Sequence, residues 1–133
     1  HILIQSMMEY GVVPEITMAA RRTNEKQPKE VVDFLVTFLK SQKGFPKNPK
    51  ISLLGIAFKG RPITDDTRGT TALAIFAALK KAFPKAIFSG YDPVVEEKEI
   101  KEFGLVAKKE PEEMFAGAHL VLILNNHPLF STM

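Results

Sequence analysis

The sequence contains no cysteine and no tryptophan. Without cysteine the chain forms no disulfide and offers no thiolate to a metal ion. No apolar run approaches the roughly 20 residues that a membrane-spanning helix needs, and the first residues lack the apolar stretch of a secretory signal. Since the absence of cysteine also fits a reducing compartment, we expect a cytoplasmic protein without a membrane partner.

The excess of positive over negative charge is also small. The chain has 133 residues, a formal net charge of +3 and 25% charged residues, which is ordinary for a globular domain. Its lysines and arginines are scattered among acids, whereas a nucleic-acid-binding surface is typically a concentrated basic stripe. The composition therefore favours a small anionic ligand and disfavours nucleic acid as a partner.

The first third of the chain has helical patterns. Apolar residues occur at helical spacing from Pro14 to about Asn24, and a wider apolar face follows Pro28. Proline lacks an N–H and is best tolerated in the first turn, so Pro28 predicts a break or kink between two helices. The face after it is expected to be core or interface: Val31, Val32, Phe34, Leu35, Phe38 and Leu39.

The rest of the chain alternates between strand and helix patterns. After a linker from Ser41 to Pro49, strands are predicted at 50–57, about 86–91, near 104–107 and at 119–124, and helices at about 69–82, 95–102 and 111–116. Such alternation predicts an α/β fold, a Rossmann-like three-layer sandwich with a parallel sheet. An all-α segment precedes it. Residues 128–133 look like a helix that has barely begun, so we expect a C-terminally truncated domain.

The stretch from Lys50 to Thr70 carries the strongest chemical signal. A buried strand leads through a loop with Lys59 and Arg61, then Arg68, into an apolar helix. Free N–H groups at a helix start and cations on the loop before it are a common way to hold phosphate. The alternative is a solvated loop with surface salt bridges.

The same stretch resembles a known signature. Gly-Ile-Ala-Phe-Lys at 55–59 and Thr-Asp-Asp-Thr-Arg-Gly at 64–69 are similar to the opening of the C-terminal domain in the UDP-glucose/GDP-mannose dehydrogenase family. Tyr-Asp-Pro at 91–93, the stretch 118–127 and Ala-Arg-Arg-Thr-Asn at 20–24 extend the resemblance over nearly the whole chain. The resemblance implies enzymes that oxidise the C6 hydroxyl of a nucleotide sugar to a carboxylate with two NAD.

The resemblance also implies a domain plan. Residues 1–44 would be a central helical segment through which the protein forms a homodimer, and residues 50–133 an incomplete nucleotide-sugar (UDP)-binding domain. Most of the NAD site and the catalytic cysteine would lie in parts absent from this chain, so we expect no catalytic residue here and no activity from the chain alone. The longer loop between Lys59 and Asp65 resembles the branch that acts on UDP-N-acetylated sugars.

Four residues are candidates for ligand contact. The resemblance implies that Phe58 and Lys59 contact the nucleotide sugar and that Arg68 reaches toward NAD. A salt bridge from Arg68 to Asp65 or Asp66 is the alternative. Arg61 lies in the longer loop, where no family residue corresponds, and its charge alone suggests a phosphate contact.

The sequence predicts structural roles for several other residues. Gly55 is not part of a Gly-x-Gly-x-x-Gly turn, so this domain is not expected to cradle the NAD pyrophosphate. Asp92 is expected to cap the following helix, Asp65 and Asp66 to serve N-capping rather than a metal, and His127 to be a loop residue.

Two other functions remain open at this point. The chain could be a non-catalytic nucleotide-binding or regulatory Rossmann-like module, or a helix-mediated dimerisation piece whose sheet domain binds no ligand.

Overall fold

The computed structural model describes residues 2–133. It contains four α-helices: α1 (Ile2–Glu9), α2 (Glu15–Ser41), α3 (Thr71–Ala82) and α4 (Glu97–Glu102). The strands are β1 (Lys50–Leu54), β2 (Ile87–Tyr91), β3 (Val106–Ala107) and β4 (Leu120–Ile123), and short 3-10 helices span Pro111–Met114 and Pro128–Ser131. None of the helices within residues 2–133 is both long and apolar enough to cross a membrane.

The four strands form one parallel sheet in the order β3-β2-β1-β4. In the centre, Ile51 of β1 pairs with Phe88 of β2 on one side and with Leu120 of β4 on the other. The predicted α/β class with a parallel sheet is therefore confirmed.

The main core lies between one face of the sheet and the helices. Ile51 and Leu53 of β1 are fully buried there against α3, and α2 adds Val32 and Leu39. On the other face, Leu54 and Tyr91 pack on Met114 of the first 3-10 helix. The third layer of the predicted sandwich thus consists of short 3-10 helices.

Helix α3 forms where its sequence favours it. Alanine and leucine, both strong helix formers, make up seven of its twelve residues, and Lys80 and Lys81 stand in the last turn, where the helix dipole favours cations. Thr70 is the N-cap, and its hydroxyl accepts a hydrogen bond from the Ala72 N–H at 3.2 Å. The same hydroxyl donates to the Ala57 carbonyl at 3.4 Å, which holds the start of α3 next to the carboxyl end of β1.

The predicted break into two helices at Pro28 is wrong, because α2 runs without interruption from Glu15 to Ser41 with Pro28 inside it, and the alternative of a kink stays a prediction. A proline in a helix interior removes one backbone hydrogen bond at a cost of about 3 kcal/mol. The helical turns on both sides persist, and the second half is held in the core by Val32 and Leu39. Helix α1 lies within the segment 1–44 that the resemblance predicts to be helical, although the sequence pattern did not single it out.

The segment between α2 and β1 has neither helix nor strand, in agreement with the predicted linker. It is packed rather than free. The Phe45 ring lies 5.9 Å from the Phe83 ring at the end of α3, and Pro49 is fully buried. The linker therefore ties α2 to the sheet.

Candidate functional site

The strand order places a crevice at the carboxyl ends of β1 and β4. From β1 the chain crosses to β2 and then to β3, whereas β4 lies on the opposite side of β1. Open α/β sheets bind ligands outside the carboxyl ends of their strands, at the point where the strand order reverses. The loop that leaves β1 at this point is residues 55–70.

Gly55 ends β1 earlier than predicted. Its φ of 85° is in the region that favours glycine, and its N–H donates to the Tyr91 carbonyl at 2.9 Å. A Cβ on Gly55 would lie 2.7 Å from the Asn125 carboxamide. The predicted strand 50–57 therefore stops at Leu54, and the chain turns into the loop.

The sequence predicts that Asp92 caps α4. This prediction is wrong, because the N-cap of α4 is Glu96. The buried Asp92 carboxylate instead accepts hydrogen bonds from the N–H groups of Ile56 and Ala57, at 2.7 and 2.9 Å, across the strand ends. Its other oxygen accepts from the two N–H groups of the turn at 94–95. Asp92 therefore fixes the start of the β1–α3 loop.

The loop next approaches the residues that follow β4. The Gly60 N–H donates to Asn126 Oδ1 at 3.1 Å, and a Cβ on Gly60 would lie only 2.0 Å from the backbone nitrogen of His127. The glycine is needed because the two backbones touch here. Both glycines of the turn thus face protein atoms, and the expectation that this domain does not cradle the NAD pyrophosphate stays a prediction.

Phe58, Lys59 and Arg61 lie together on this loop with their side chains exposed. The Phe58 ring is 54% exposed and lines a cleft of about 830 Å³ between the start of α3 and helices α1 and α2. Within residues 2–133, the side chains of Lys59 and Arg61 make no hydrogen bond or ion pair. Two unpaired cations therefore stand at the sheet edge where a ligand is expected.

Arg68 makes the salt bridge that the sequence left as the alternative. Its Nε and Nη2 donate to the two carboxylate oxygens of Asp66, both at 2.9 Å, although the side chain is 90% exposed. The hydrogen bonds from the Arg68 guanidinium and backbone N–H lower the pKa of Asp66 to about 2. The expected NAD contact of Arg68 stays a prediction.

The two adjacent acids do not cap α3. Thr70 occupies the N-cap position, whereas Asp66 closes a local turn by accepting from the Arg68 N–H at 3.0 Å. The Asp66 carboxylate is instead occupied by the backbone and side chain of Arg68. His127 is a loop residue as predicted, and its Nδ1 accepts from the Leu129 N–H at 3.2 Å.

Asn125 and Asn126 were given no role from the sequence. Asn125 Nδ2 donates to the Ala57 carbonyl at 3.3 Å, and Asn126 accepts from Gly60. The available signal was their position, because two carboxamides directly after an apolar strand lie at the ligand-binding edge of a parallel sheet.

Comparison with known proteins agrees with this geometry. The model of the UDP-glucose/GDP-mannose dehydrogenase family, UDP binding domain, matches residues 52–133. UDP-glucose 6-dehydrogenase TuaD of Bacillus subtilis is 38% identical over 92 residues, which are 69% of this chain and 18% of that protein. UDP-N-acetyl-D-mannosamine dehydrogenase of Pyrococcus horikoshii is 29% identical over 132 residues, which are 99% of this chain and 28% of that protein.

A solved structure shows the same fold. The UDP-glucose dehydrogenase of Pyrobaculum islandicum superimposes with a TM-score of 0.80 over 98% of this chain and 29% of that chain, at 23% identity. The chain thus spans less than a third of the relatives that it matches. Together with the family match over residues 52–133, these similarities show that the chain belongs to the UDP-glucose/GDP-mannose dehydrogenase family.

Proposed function

We propose that this chain is the nucleotide-sugar-binding part of an NAD-dependent dehydrogenase that oxidises the C6 hydroxyl of a UDP-sugar to a carboxylate. The observation that carries the proposal is the loop at 58–61, which presents two unpaired cations at the switch point of the sheet. UDP is the proposed nucleotide because the family match is to a UDP-binding domain and the named relatives act on UDP-sugars.

The chemistry of the loop suits a nucleoside diphosphate sugar. Lys59 and Arg61 carry charge that can pair with phosphate oxygens in charge-assisted hydrogen bonds. On the same loop, the half-exposed ring of Phe58 supplies an apolar surface for the base or the sugar. The backbone N–H of Lys59 makes no hydrogen bond within residues 2–133, so it adds a free donor beside the ammonium group.

NAD is proposed to bind mainly to a part of the enzyme outside this chain, because the turn after β1 lacks the Gly-x-Gly-x-x-Gly sequence that cradles a dinucleotide pyrophosphate. When bound, NAD would accept the hydride from the sugar carbon. The residues of this chain would hold and orient the nucleotide sugar, and Arg68 would contact the cofactor at the boundary.

The test is an oxidation assay with a full-length protein that carries this chain. NADH formation is followed with UDP-glucose, UDP-N-acetylmannosamine and GDP-mannose in parallel. The proposal expects turnover with a UDP-sugar and little with the GDP-sugar. Absence of turnover with every nucleotide sugar, together with tight binding of one of them, would instead support a non-catalytic binding module.

Replacing Arg68 with alanine in that full-length protein should affect the response to NAD and leave the binding of the nucleotide sugar nearly unchanged. We expect the NAD concentration needed for half-maximal rate to rise, with nucleotide-sugar affinity nearly unchanged. Stability should change little, since an exposed ion pair contributes little to folding. Lys81→Ala, an exposed cation at the other end of α3, is the control. An unchanged NAD response with a lower melting temperature would leave Arg68 a structural residue.

The chain is also proposed to form a homodimer through α2. The apolar face of α2 is divided in the structure, with Leu35 and Leu39 packed on the sheet domain and Val31, Phe34 and Phe38 exposed. The Phe34 side chain is 74% exposed, which is unusual for a large apolar residue beside two others. A second copy of α2 would cover this surface with its own equivalent residues.

Sedimentation of the 133-residue chain at micromolar concentration is therefore expected to show a dimer or larger species. Phe34→Glu should shift it to a monomer because the charge would be buried without a partner. Lys40→Glu, about 120° around the helix, is the control. A wild-type monomer at high concentration would contradict the proposed dimer.

A further inference from the structure

The loop that carries Lys59 is fixed at both of its ends by side chains from other strands. Ile56 and Ala57 donate their N–H groups to the Asp92 carboxylate at the end of β2. Gly60 donates to Asn126 Oδ1 after β4 at 3.1 Å. Lys59 therefore lies within a segment whose backbone is tied down on either side, although its own side chain makes no contact of this kind.

Asp92 is suited to this task because its carboxylate is almost completely buried, at 6% exposure. Within residues 2–133 it has no cation as a partner, and its charge is met by four backbone N–H groups, two from the loop and two from the turn at 94–95. A buried charge that satisfies several donors holds them strongly, because removing it would leave each of them unpaired.

The second tie comes from the residues after β4. Asn125 Nδ2 donates to the Ala57 carbonyl at 3.3 Å and Asn125 Oδ1 accepts from the His127 N–H at 3.1 Å, so it links the two loops. The close approach of Gly60 to His127 leaves the backbone no space to move toward β4.

Of the N–H groups from Ile56 to Gly60, that of Phe58 donates to the Asp66 carbonyl at 2.7 Å. Only the Lys59 N–H has no acceptor within the described part of the chain. The loop thus combines a fixed backbone with one free donor and an exposed ammonium at the same residue. Fixing a binding group before the ligand arrives lowers the entropy lost on binding.

We propose that Asp92 and Asn126 are positioning residues for the nucleotide sugar, which act through Lys59 by holding its backbone in place. This inference rests on the proposed function, since it requires that Lys59 contact the ligand. Neither residue needs to touch the nucleotide itself.

A double-mutant cycle in the 133-residue chain tests the proposal, with UDP as the probe and calorimetry as the readout. Asn126→Ala is the informative variant because Asn126 is exposed and its loss removes one hydrogen bond. It should weaken UDP binding about three- to tenfold, the effect of one hydrogen bond. In a Lys59→Ala background the same change should cost less than about twofold, because the residue that it positions is gone.

Two measurements on the same samples distinguish a loss of loop positioning from a loss of overall stability. The Gly60 amide proton should shift and exchange faster with solvent in Asn126→Ala, while the melting temperature changes little. Asn126→Asp retains an acceptor oxygen and should restore the Gly60 amide signal. Asn48→Ala, in the exposed linker, is the control and should change none of these values.

Equal losses of affinity from Asn126→Ala in both backgrounds, or no loss in either, would overturn the positioning role. If Lys59→Ala weakens UDP binding and Asn126→Ala does not, the positioning role fails while the proposed function stands. If the wild-type chain does not bind UDP, the proposed function fails and the positioning role fails with it.

Discussion

Replacing Lys59 with alanine is expected to weaken the binding of UDP and UDP-sugars about ten- to a hundredfold. A hydrogen bond to a charged group contributes roughly 1.5–3 kcal/mol, and each 1.4 kcal/mol corresponds to about a factor of ten in affinity. The loss should appear in binding and leave folding unchanged, because the Lys59 side chain has no partner within residues 2–133.

Calorimetric titration with UDP at low and moderate salt measures this effect. Lys47→Ala is the matched control, since Lys47 is an exposed lysine in the linker, away from the sheet edge. The wild-type affinity should fall with salt more steeply than that of Lys59→Ala, because the variant has lost one of the charges that attract phosphate. An affinity for UDP equal to that of wild type would remove Lys59 from the proposed site.

The 133-residue chain by itself is expected to form no NADH from any UDP- or GDP-sugar. The chain has no cysteine to serve as the covalent nucleophile that the family resemblance implies. Its first strand–helix turn also lacks the Gly-x-Gly-x-x-Gly sequence that holds the pyrophosphate of NAD, so the hydride acceptor would lack its main site.

Purified chain is incubated with NAD and each nucleotide sugar, and the NADH absorbance is followed. A full-length protein that carries the chain is the positive control under the same conditions. Turnover by the isolated chain that persists after repurification would contradict the proposal that NAD binding and the catalytic cysteine belong to parts of the enzyme outside this chain.

Much of the fold follows from local sequence pattern. The apolar run after Lys50 predicts a buried strand, and the alanine- and leucine-rich segment after Thr70 predicts a helix. Both predictions succeed because the local sequence preference agrees with the tertiary packing. Pro28 shows where a local rule fails. The rule describes one lost hydrogen bond, whereas the length of α2 is decided by many turns and by tertiary packing.

Some residues of the candidate site were predictable from the sequence and others were not. Phe58, Lys59 and Arg61 are predicted as ligand contacts; the structure leaves their side chains exposed on one loop, and the contacts themselves stay predictions. The role of Asp92 was not predictable from its neighbours, because its partners at Ile56 and Ala57 are more than 30 residues away. Only the pairing of β1 with β2 brings them within hydrogen-bond distance.

The apolar face of α2 shows another limit of pattern. Helical spacing identifies Phe34 and Leu39 as members of one face, but it does not say which half meets the chain's own sheet. The structure buries Leu39 and leaves Phe34 exposed, because α2 contacts the domain along only one side of that face.

The central claim is that the loop at 58–61, held in place by Asn126, binds the nucleotide. Its most direct test is a titration of isotope-labelled 133-residue chain with UDP, followed residue by residue in amide NMR spectra. The account predicts the largest shifts at Phe58, Lys59 and Gly60 and at Asn126, with saturation at a single affinity. No saturable shifts, or shifts confined to α1 and α2, would contradict it.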